Sequence, residues 1–169
     1  MDSSALDEFG QFMAGRWAGL VRLAYGLTGD ARLAEDIARA ALASAYASWW
    51  RVRRANDPDA YVRRILISTS RRRLGRRRAA EQPEGLAQGP EDAGGDPCDV
   101  IGERSVLIAA LRQLPSRQRA IVVLRYWQDL SDAQVAETLR CSEGTVRSQA
   151  SRALAKLRGG AALVEGQAR

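Results

Sequence analysis

Apolar residues recur at helical spacing along most of this chain, so the pattern predicts helices throughout. One stripe extends over 9–27 through Trp17, and it predicts a single helix that Gly29 ends. Asp30 can then cap a second helix. The stripe of that second helix consists of Leu33, Ile37, Ala41, Ala45 and Trp49. Both stripes are predicted to lie in the core.

A third helix is predicted after the break at 56–58, because Asp57 suits the N-cap and Pro58 the first helical position. Its inward face consists of Tyr61, Val62, Ile65, Leu66 and Thr69. Its outer face and C-terminal end carry Arg63, Arg64, Arg71, Arg72, Arg73, Arg76, Arg77 and Arg78. Before this helix, Trp49 is predicted as core, whereas Trp50 suits either the core or stacking on a base.

The C-terminal third predicts a second helical unit that begins near Glu103. Its first apolar stripe consists of Val106, Leu107, Ala110, Leu111 and Leu114. Further along, Ser131 and Gln134 form a capping-box pattern, and Ser142 can cap another helix after a tight turn. Cys141 lies in that turn and is predicted to be a small buried hydrophobe.

The last predicted helix has two different faces. Its apolar face consists of Val146, Ala150, Ala153, Leu154 and Leu157. Its other face consists of Arg147, Ser148, Ser151 and Arg152. Two short helices joined by a tight turn form a helix-turn-helix, which lays one helix in the DNA major groove. This part of the chain is therefore predicted to bind DNA.

Charge is distributed in blocks along the 169 residues. Residues 1–50 carry a net charge of −2, and residues 51–78 carry +9 from eleven Arg against two Asp. Residues 81–103 carry −7 without a basic residue, and residues 104–158 carry +6. Dense basic blocks indicate nucleic acid, because binding releases its condensed counterions. The alternative is that Arg serves only as a solvated surface residue, since Lys156 is the only Lys.

The acidic segment at 80–102 contains five Gly and three Pro, a composition that predicts a flexible, largely unstructured linker. The chain is therefore predicted to be all-α. Two small helical domains, at 1–79 and 103–158, are joined by this acidic linker and followed by a flexible tail at 159–169.

Composition also excludes several classes of protein. The chain has no His and two Cys, so it offers no zinc site, redox pair or histidine-based catalysis, and neither an enzyme nor a cofactor is expected. No apolar run is long enough for a transmembrane helix. The acidic start MDSSALDEF differs from a signal peptide, so a cytoplasmic location at the nucleoid is expected.

The order of these parts resembles the extracytoplasmic-function (ECF) group of bacterial RNA polymerase sigma factors, with a leaning to the actinobacterial SigE-type subgroup. The segments that carry the resemblance are LVRLAYGLTGDARLAEDIA (20–38), DPDAYVRRI (57–65), LPSRQRAIVVLRYWQDLSDAQVAETLRCSEGTVRS (114–148) and RALAKLR (152–158). The resemblance covers residues 10–158. It implies an alternative sigma factor that binds core RNA polymerase, directs it to specific promoters and helps open the DNA.

The resemblance implies that residues 1–79 are sigma region 2, which contacts the β′ clamp helices and melts the minus-ten element. The polymerase-binding surface is matched by Glu35, Asp36 and Arg39. The loop that captures a flipped base is matched by Asn56 and Asp57. The helix that follows the displaced strand is matched by Arg63, Arg64, Ser68, Arg71 and Arg72. The chain departs from the family pattern at 38–40 and at Ser68, which leaves the clamp contact and the promoter preference open.

Residues 103–158 resemble sigma region 4, which docks on the β flap and recognises the minus-thirty-five element. Its DNA-reading face is matched by Thr145, Arg147, Ser148, Ser151 and Arg152. The implied partners are core RNA polymerase, promoter DNA and, for many members of the family, an anti-sigma factor. The resemblance implies no membrane partner and no small-molecule substrate.

Three alternatives stay open at this point. The acidic linker could follow the basic path through the polymerase cleft, or it could be an ordinary solvated linker. The chain could instead be a stand-alone helix-turn-helix regulator, or a regulator that sequesters protein partners. The Arg-rich helix after 56–58 favours a factor that opens DNA, because a simple repressor does not need it.

Overall fold

The computed structural model describes residues 3–81 and 103–167, with side chains described for 4–80 and 105–159. Both ranges are helical and contain no strand, which confirms the all-α prediction. The N-terminal half contains α1 (Ser3–Met13), α2 (Trp17–Thr28), α3 (Ala31–Ala47), α4 (Trp49–Val52) and α5 (Pro58–Glu81). The C-terminal half contains α6 (Glu103–Gln113), α7 (Ser116–Val122), a π-helical turn (Val123–Trp127), α8 (Asp132–Leu139) and α9 (Glu143–Gln167).

The helices at the edges of the described ranges extend beyond the predicted boundaries. α5 continues to Glu81, into the segment predicted as linker, and residues 82–102 lie outside the described residues. α9 continues to Gln167, so residues 159–167 form helix where the sequence predicted a flexible tail.

The first predicted helix is in fact two helices. A single helix over 9–27 is wrong because the chain turns at Gly15, whose φ of +77° lies in the left-handed region. Arg16 holds this turn against α5, since its Nε donates to Oδ1 of Asp59 at 2.7 Å. Trp17, predicted as core, begins α2 with 37% of its surface exposed.

Helices α2, α3 and α5 pack together as the N-terminal bundle. Gly29 ends α2 with a φ of +71°, and Asp30 caps α3 as predicted, accepting at Oδ1 from the Leu33 N–H at 3.0 Å. Asp57 caps α5 in the same way, accepting from the Ala60 N–H at 2.8 Å. The fully buried side chains of this half include Leu23, Ile37, Val52 and Leu66.

The C-terminal helices contribute a second set of fully buried side chains, which includes Ile121, Leu124, Val135 and Val146. In α6 the predicted stripe is partly wrong, because Val106 and Leu107 are 61% and 47% exposed while Ile108 and Leu111 are buried. The reason is that α6 faces α2. A Cβ built on Gly29 would lie 2.6 Å from Ile108 Cγ2, so only glycine allows this approach.

The two halves contact each other and share one hydrophobic cluster. Gly26 of α2 faces the π-helical turn, where a Cβ built on Gly26 would lie 2.7 Å from Val123 Cγ1 and 3.3 Å from the Trp127 ring. The rings of Tyr25 and Trp127 meet edge to face, with 6.2 Å between their centroids. The absent side chain at Gly26 therefore allows α2 to approach the C-terminal half closely.

Arg119 is buried at this contact, with 5% of its surface exposed. Its Nη1 donates to the Leu27 carbonyl at 2.8 Å, and its Nη2 donates to the Arg112 and Leu114 carbonyls at 2.9 and 3.1 Å. These carbonyls lie at the C-terminal ends of α2 and α6, where carbonyl groups lack partners within the helix. Burial, together with repulsion from Arg78 and Arg112, lowers the pKa of Arg119 to about 10, so it stays charged at neutral pH.

We expect Gly26→Ala to lower the free energy of unfolding, although alanine is favoured over glycine inside a helix by about 1 kcal/mol. The new methyl group would overlap Val123, and overpacking of a core costs about 1–3 kcal/mol. Gly19→Ala is the matched control in the same helix, because a Cβ there meets nothing within 4 Å and should be stabilising. Urea denaturation followed by circular dichroism measures both. Equal stabilisation by the two substitutions would contradict the close contact.

A second prediction concerns Asp30, which also accepts from Arg77 Nη1 at 3.3 Å. Burial acts to raise the pKa of Asp30, but the bonds from the Leu33 N–H and Arg77 outweigh it, so its pKa lies below the ordinary value. A carboxyl group with a lowered pKa stabilises the fold above its unfolded pKa of about 3.9, and this contribution is lost as pH falls through the folded pKa. We expect Asp30→Asn to cost about 0.5–1 kcal/mol at neutral pH and nothing at strongly acidic pH. Urea denaturation of both proteins, from neutral to strongly acidic pH, measures the difference in their free energies of unfolding. A difference that does not change with pH would contradict the charge effect.

Candidate nucleic-acid interface

Helices α8 and α9 form the predicted helix-turn-helix, and side-chain and backbone hydrogen bonds fix its ends. Ser131 Oγ accepts from the Gln134 N–H at 3.2 Å, and Gln134 Oε1 accepts from the Ser131 N–H at 2.9 Å, which confirms the capping box. In the turn, Arg140 has a left-handed φ of +50°. The Cys141 N–H then donates back to the Ala136 carbonyl at 3.1 Å. This closes α8 in the way that glycine does at many helix ends.

Helix α9 begins at a serine cap and presents the two predicted faces. Ser142 Oγ accepts from the Thr145 N–H at 3.1 Å and lies 2.9 Å from Thr145 Oγ1. The inward face has Val146, Ala150 and Ala153 buried and Leu154 and Leu157 half-buried. The outward face has Arg147, Ser148, Ser151 and Arg152 exposed, with Thr145 half-buried in the first turn. The structure therefore brings the five predicted DNA-reading residues to one end and side of α9.

Arg147 stands beside two carboxylates at the start of the helix-turn-helix. Its Nη1 lies 3.6 Å from Glu143 Oε2 and 3.8 Å from Asp132 Oδ2, while 61% of its side chain is exposed. Asp132 is also paired with Arg125, whose Nε lies 3.2 Å from Oδ1. Sequence reasoning missed Asp132 and Arg125. The sequence did contain a signal for Asp132. It follows the cap at Ser131 directly, and the helix dipole favours a carboxylate at that position.

Apart from Asp57, which caps α5 and is half-buried, the residues predicted to contact the minus-ten element fall into two groups. The first group is exposed, and its members are Asn56, Ser68, Arg71 and Arg72. The second group is covered. Arg63 and Arg64, predicted on an outer face of α5, lie against α8 with side chains only 16% and 25% exposed. Arg63 Nη2 also lies 3.6 Å from Oδ2 of Asp57, the capping residue of α5. Arg63 and Arg64 are covered, although the sequence predicted them on an outer face, because α5 packs on α8.

The three residues predicted to bind polymerase share one exposed surface of α3. Arg39 Nη2 lies 2.7 Å from Glu35 Oε2, and Arg39 Nη1 lies 3.4 Å from Asp36 Oδ1. The three side chains are 50–61% exposed. Ion pairs of this kind on a helix surface contribute about 0.2–0.5 kcal/mol, so a partner can rearrange them at little cost.

The two tryptophans that begin α4 have different environments. Trp49 is buried, and its ring lies 5.3 Å from that of Phe9 and 5.2 Å from that of Phe12, which confirms the core prediction. Trp50 is 54% exposed, with Arg51 Cζ 4.8 Å from the ring centroid. Trp50 is therefore a surface residue covered in part by a guanidinium.

Two further features concern the described residues, 3–81 and 103–167, as a whole. Among them, no group of three or more His, Cys, Asp and Glu side chains could hold a metal ion. No helix within 3–81 or 103–167 combines the length and apolar character that crossing a membrane requires.

Comparison with known proteins identifies the family. Residues 104–157 match the family described as Sigma-70, region 4. The RNA polymerase sigma-E factor of Streptomyces coelicolor is 36% identical over 152 residues, which cover 89% of this chain and 84% of that protein. The ECF RNA polymerase sigma factor SigL of Mycobacterium tuberculosis is 32% identical over 147 residues, which cover 83% of this chain and 81% of that protein. The chain belongs to the ECF sigma factors.

Solved structures share the fold. The sigma factor RpoE of Bartonella quintana, in complex with the anti-sigma factor NepR, has a TM-score of 0.67 at 23% identity and covers 90% of this chain and 95% of its own. CnrH in complex with the cytosolic domain of CnrY has a TM-score of 0.60 at 21% identity. The match covers 94% of this chain and 88% of CnrH. The predicted alternative sigma factor of SigE type is confirmed, and nothing in these similarities favours a stand-alone regulator. Sigma factors are transcription initiation factors and not classical enzymes.

We expect Arg140→Gly to raise the free energy of unfolding by about 0.5–1 kcal/mol, because glycine adopts the left-handed conformation without the strain of a Cβ. Ala133→Gly is the control in the first turn of α8 and should lower stability by up to about 1 kcal/mol, because alanine is favoured over glycine in a helix. Urea denaturation followed by circular dichroism measures both variants. A loss of stability in Arg140→Gly would mean that contacts of the Arg140 side chain outweigh the strain.

Proposed function

We propose that this ECF sigma factor binds core RNA polymerase, directs it to specific promoters and helps open the DNA. The observation that carries the proposal is the exposed Arg- and Ser-lined face of α9, which lies within the residues that match Sigma-70, region 4. Core polymerase and promoter DNA are the partners, with no cofactor and no small-molecule substrate. A cytoplasmic location at the nucleoid follows from these partners.

In this proposal α9 enters the major groove of the minus-thirty-five element. Arg147 and Arg152 can each bind guanine O6 and N7 with two hydrogen bonds. Ser148 and Ser151 can bind base edges or phosphates. Thr145 lies in the first turn of α9, where backbone N–H groups and the helix dipole favour a phosphate.

The N-terminal half has the minus-ten element as its target. The loop with Asn56 and Asp57 would receive a flipped base of the melted strand. The rest of the strand would follow α5 past Arg63, Arg64, Ser68, Arg71 and Arg72. Guanidinium groups suit this role because they bind phosphate in a forked geometry and stack on bases.

The polymerase contacts complete the assignment. Glu35, Asp36 and Arg39 would meet the β′ clamp helices, and the C-terminal half would dock on the β flap. This divides the chain into region 2 at 1–79, an acidic linker at 80–102 and region 4 at 103–158. An anti-sigma factor is a candidate partner, because a structure with the same fold was solved in complex with one.

Reconstitution tests the proposal. The full chain is combined with bacterial core RNA polymerase, and run-off transcription is measured on a library of promoters. We expect initiation at a defined set of promoters that core polymerase alone does not use. Duplex binding without polymerase, together with no initiation, would instead support a stand-alone regulator.

We expect Arg147→Ala and Arg152→Ala each to weaken use of the preferred upstream element by about 1–3 kcal/mol, because each removes contacts to a base. Lys156→Ala is the control for lost positive charge on α9, since Lys156 is exposed and is not assigned to a base. It should weaken all promoters alike. Transcription from promoters that differ only in the upstream element measures selectivity, and unchanged selectivity in both arginine variants would contradict this assignment.

A further inference from the structure

One carboxylate joins the DNA-reading helix to the two elements that precede it. Asp132, in the first turn of α8, has Oδ1 3.2 Å from Nε of Arg125 in the π-helical turn. Its Oδ2 lies 3.8 Å from Nη1 of Arg147 on α9. Asp132 therefore lies between two guanidinium groups, one in the turn that packs on α2 and one on the predicted DNA-reading face.

The carboxylate of Asp132 is more firmly held than either arginine. Only 17% of its side chain is exposed, against 31% for Arg125 and 61% for Arg147, and Oδ1 is buried. The capping box of Ser131 and Gln134 fixes the backbone directly before it. Salt screens a partly buried charge much less than an exposed one. Asp132 is therefore a fixed negative point beside a mobile guanidinium.

Glu143, the other carboxylate beside Arg147, is less able to hold it in one direction. Its Oε2 lies 3.6 Å from Arg147 Nη1, and it stands one turn earlier on the same helix. Its side chain is 51% exposed, and exposed pairs at this spacing contribute little and rearrange readily. Of the two carboxylates, Asp132 is the one that can fix the direction of Arg147.

Direction matters because a guanidinium distinguishes bases in only one geometry. Guanine presents O6 and N7 together, and arginine binds both atoms with parallel hydrogen bonds. A phosphate accepts the same N–H groups but carries no sequence information. Arg147 also loses rotamer freedom when it binds, and a fixed carboxylate beside Nη1 reduces that loss while its other N–H groups stay available.

We propose that Asp132 is a positioning residue that directs Arg147 toward a guanine of the upstream promoter element, so that it determines base specificity without contacting DNA. The inference rests on the proposed function, which places Arg147 in the major groove. Arg125 anchors the other oxygen of the same carboxylate. Without that carboxylate Arg147 keeps its charge but loses its preferred direction, and phosphates compete with guanine for it.

The test uses the full chain with core RNA polymerase and measures run-off transcription from promoters in which each base pair of the upstream element is varied singly. Arg147→Ala identifies the base pair that Arg147 reads, as the position where discrimination is lost. Asp132→Asn keeps nearly the same shape but removes the charge. We expect it to reduce discrimination at that base pair at least about threefold and to leave the other positions unchanged.

A double variant tests whether Asp132 acts through Arg147. We expect Asp132→Asn to have no further effect on discrimination once Arg147 is replaced by alanine, because two residues that serve one contact are not additive. A residue that only stabilised α8 would instead weaken all promoters alike, whether or not Arg147 is present.

Asp129→Asn is the matched control, because it makes the same chemical change three residues earlier in the chain. Asp129 is exposed, and no ion pair joins it to another residue whose side chain the structure describes. This variant should change transcription from all promoters alike, through nonspecific attraction to DNA alone. Circular dichroism verifies that every variant keeps wild-type helical content.

The proposal is overturned if Asp132→Asn discriminates as Asp129→Asn does, or if its effect adds to that of Arg147→Ala. Failure of the proposed function gives a different result. In that case the wild-type chain does not initiate transcription with core polymerase, or Arg147→Ala changes discrimination at no base pair, and both conclusions are wrong. If Arg147→Ala loses discrimination and Asp132→Asn keeps it, the proposed function stands and only the positioning role is wrong.

Discussion

The guanidinium of Arg119 lies where α2, α6 and α7 meet, and the arrangement of the two halves depends on it. A buried charge is costly unless hydrogen bonds replace the water that it loses. At Nη1 and Nη2 the replacement comes from three carbonyls, those of Leu27, Arg112 and Leu114, and not from a carboxylate. The same bonds supply partners to carbonyls that would otherwise be unsatisfied at two helix ends. Arg119 also fixes the position of α7, and with it the π-helical turn that packs on α2.

A second arginine contact follows the same physical rule. Arg64 binds the carboxyl end of α8 much as Arg119 binds the carboxyl end of α2. Residues 51–78 have eleven Arg but only two Asp, so carboxylates within that block cannot pair with most of its guanidinium groups. Helix ends are an alternative source of negative potential. A chain rich in arginine can thus use its own backbone where other proteins use salt bridges, and the same guanidinium groups remain suited to phosphate.

Local signals in the sequence predicted local structure well. The caps at Asp30 and Asp57 and the capping box at Ser131 were predictable because each depends on neighbours within three residues. The two faces of α9 were predictable because its apolar spacing is regular. The break at Gly15 was not, since a glycine inside a helical stripe costs only about 1 kcal/mol and does not by itself end a helix. Long-range contacts were missed for a related reason. Arg119 lies in a polar stretch of α7, and no local pattern distinguishes it from a solvated arginine.

In the candidate site, too, local features were predictable from the sequence and long-range contacts were not. The residues of α9 were found because one helix carries them all, whereas the covering of Arg63 and Arg64 depends on α8, more than seventy residues away in sequence. The choice of buried face on α6 likewise depends on α2, because the run from Val106 to Ile108 is apolar on more than one side.

Because Gly26 has no side chain, the two halves of the chain fit each other closely at this contact. Helix α2 approaches the π-helical turn so closely that the shape of Val123 and Trp127 is complementary to a backbone surface. A hybrid that joins residues 1–79 of this chain to the C-terminal half of a relative could keep both sets of helices. It could close in the same way only if the relative also presents side chains at the turn that fit against glycine. The halves of this protein are therefore not freely interchangeable parts, even though each carries its own set of caps and its own share of the core.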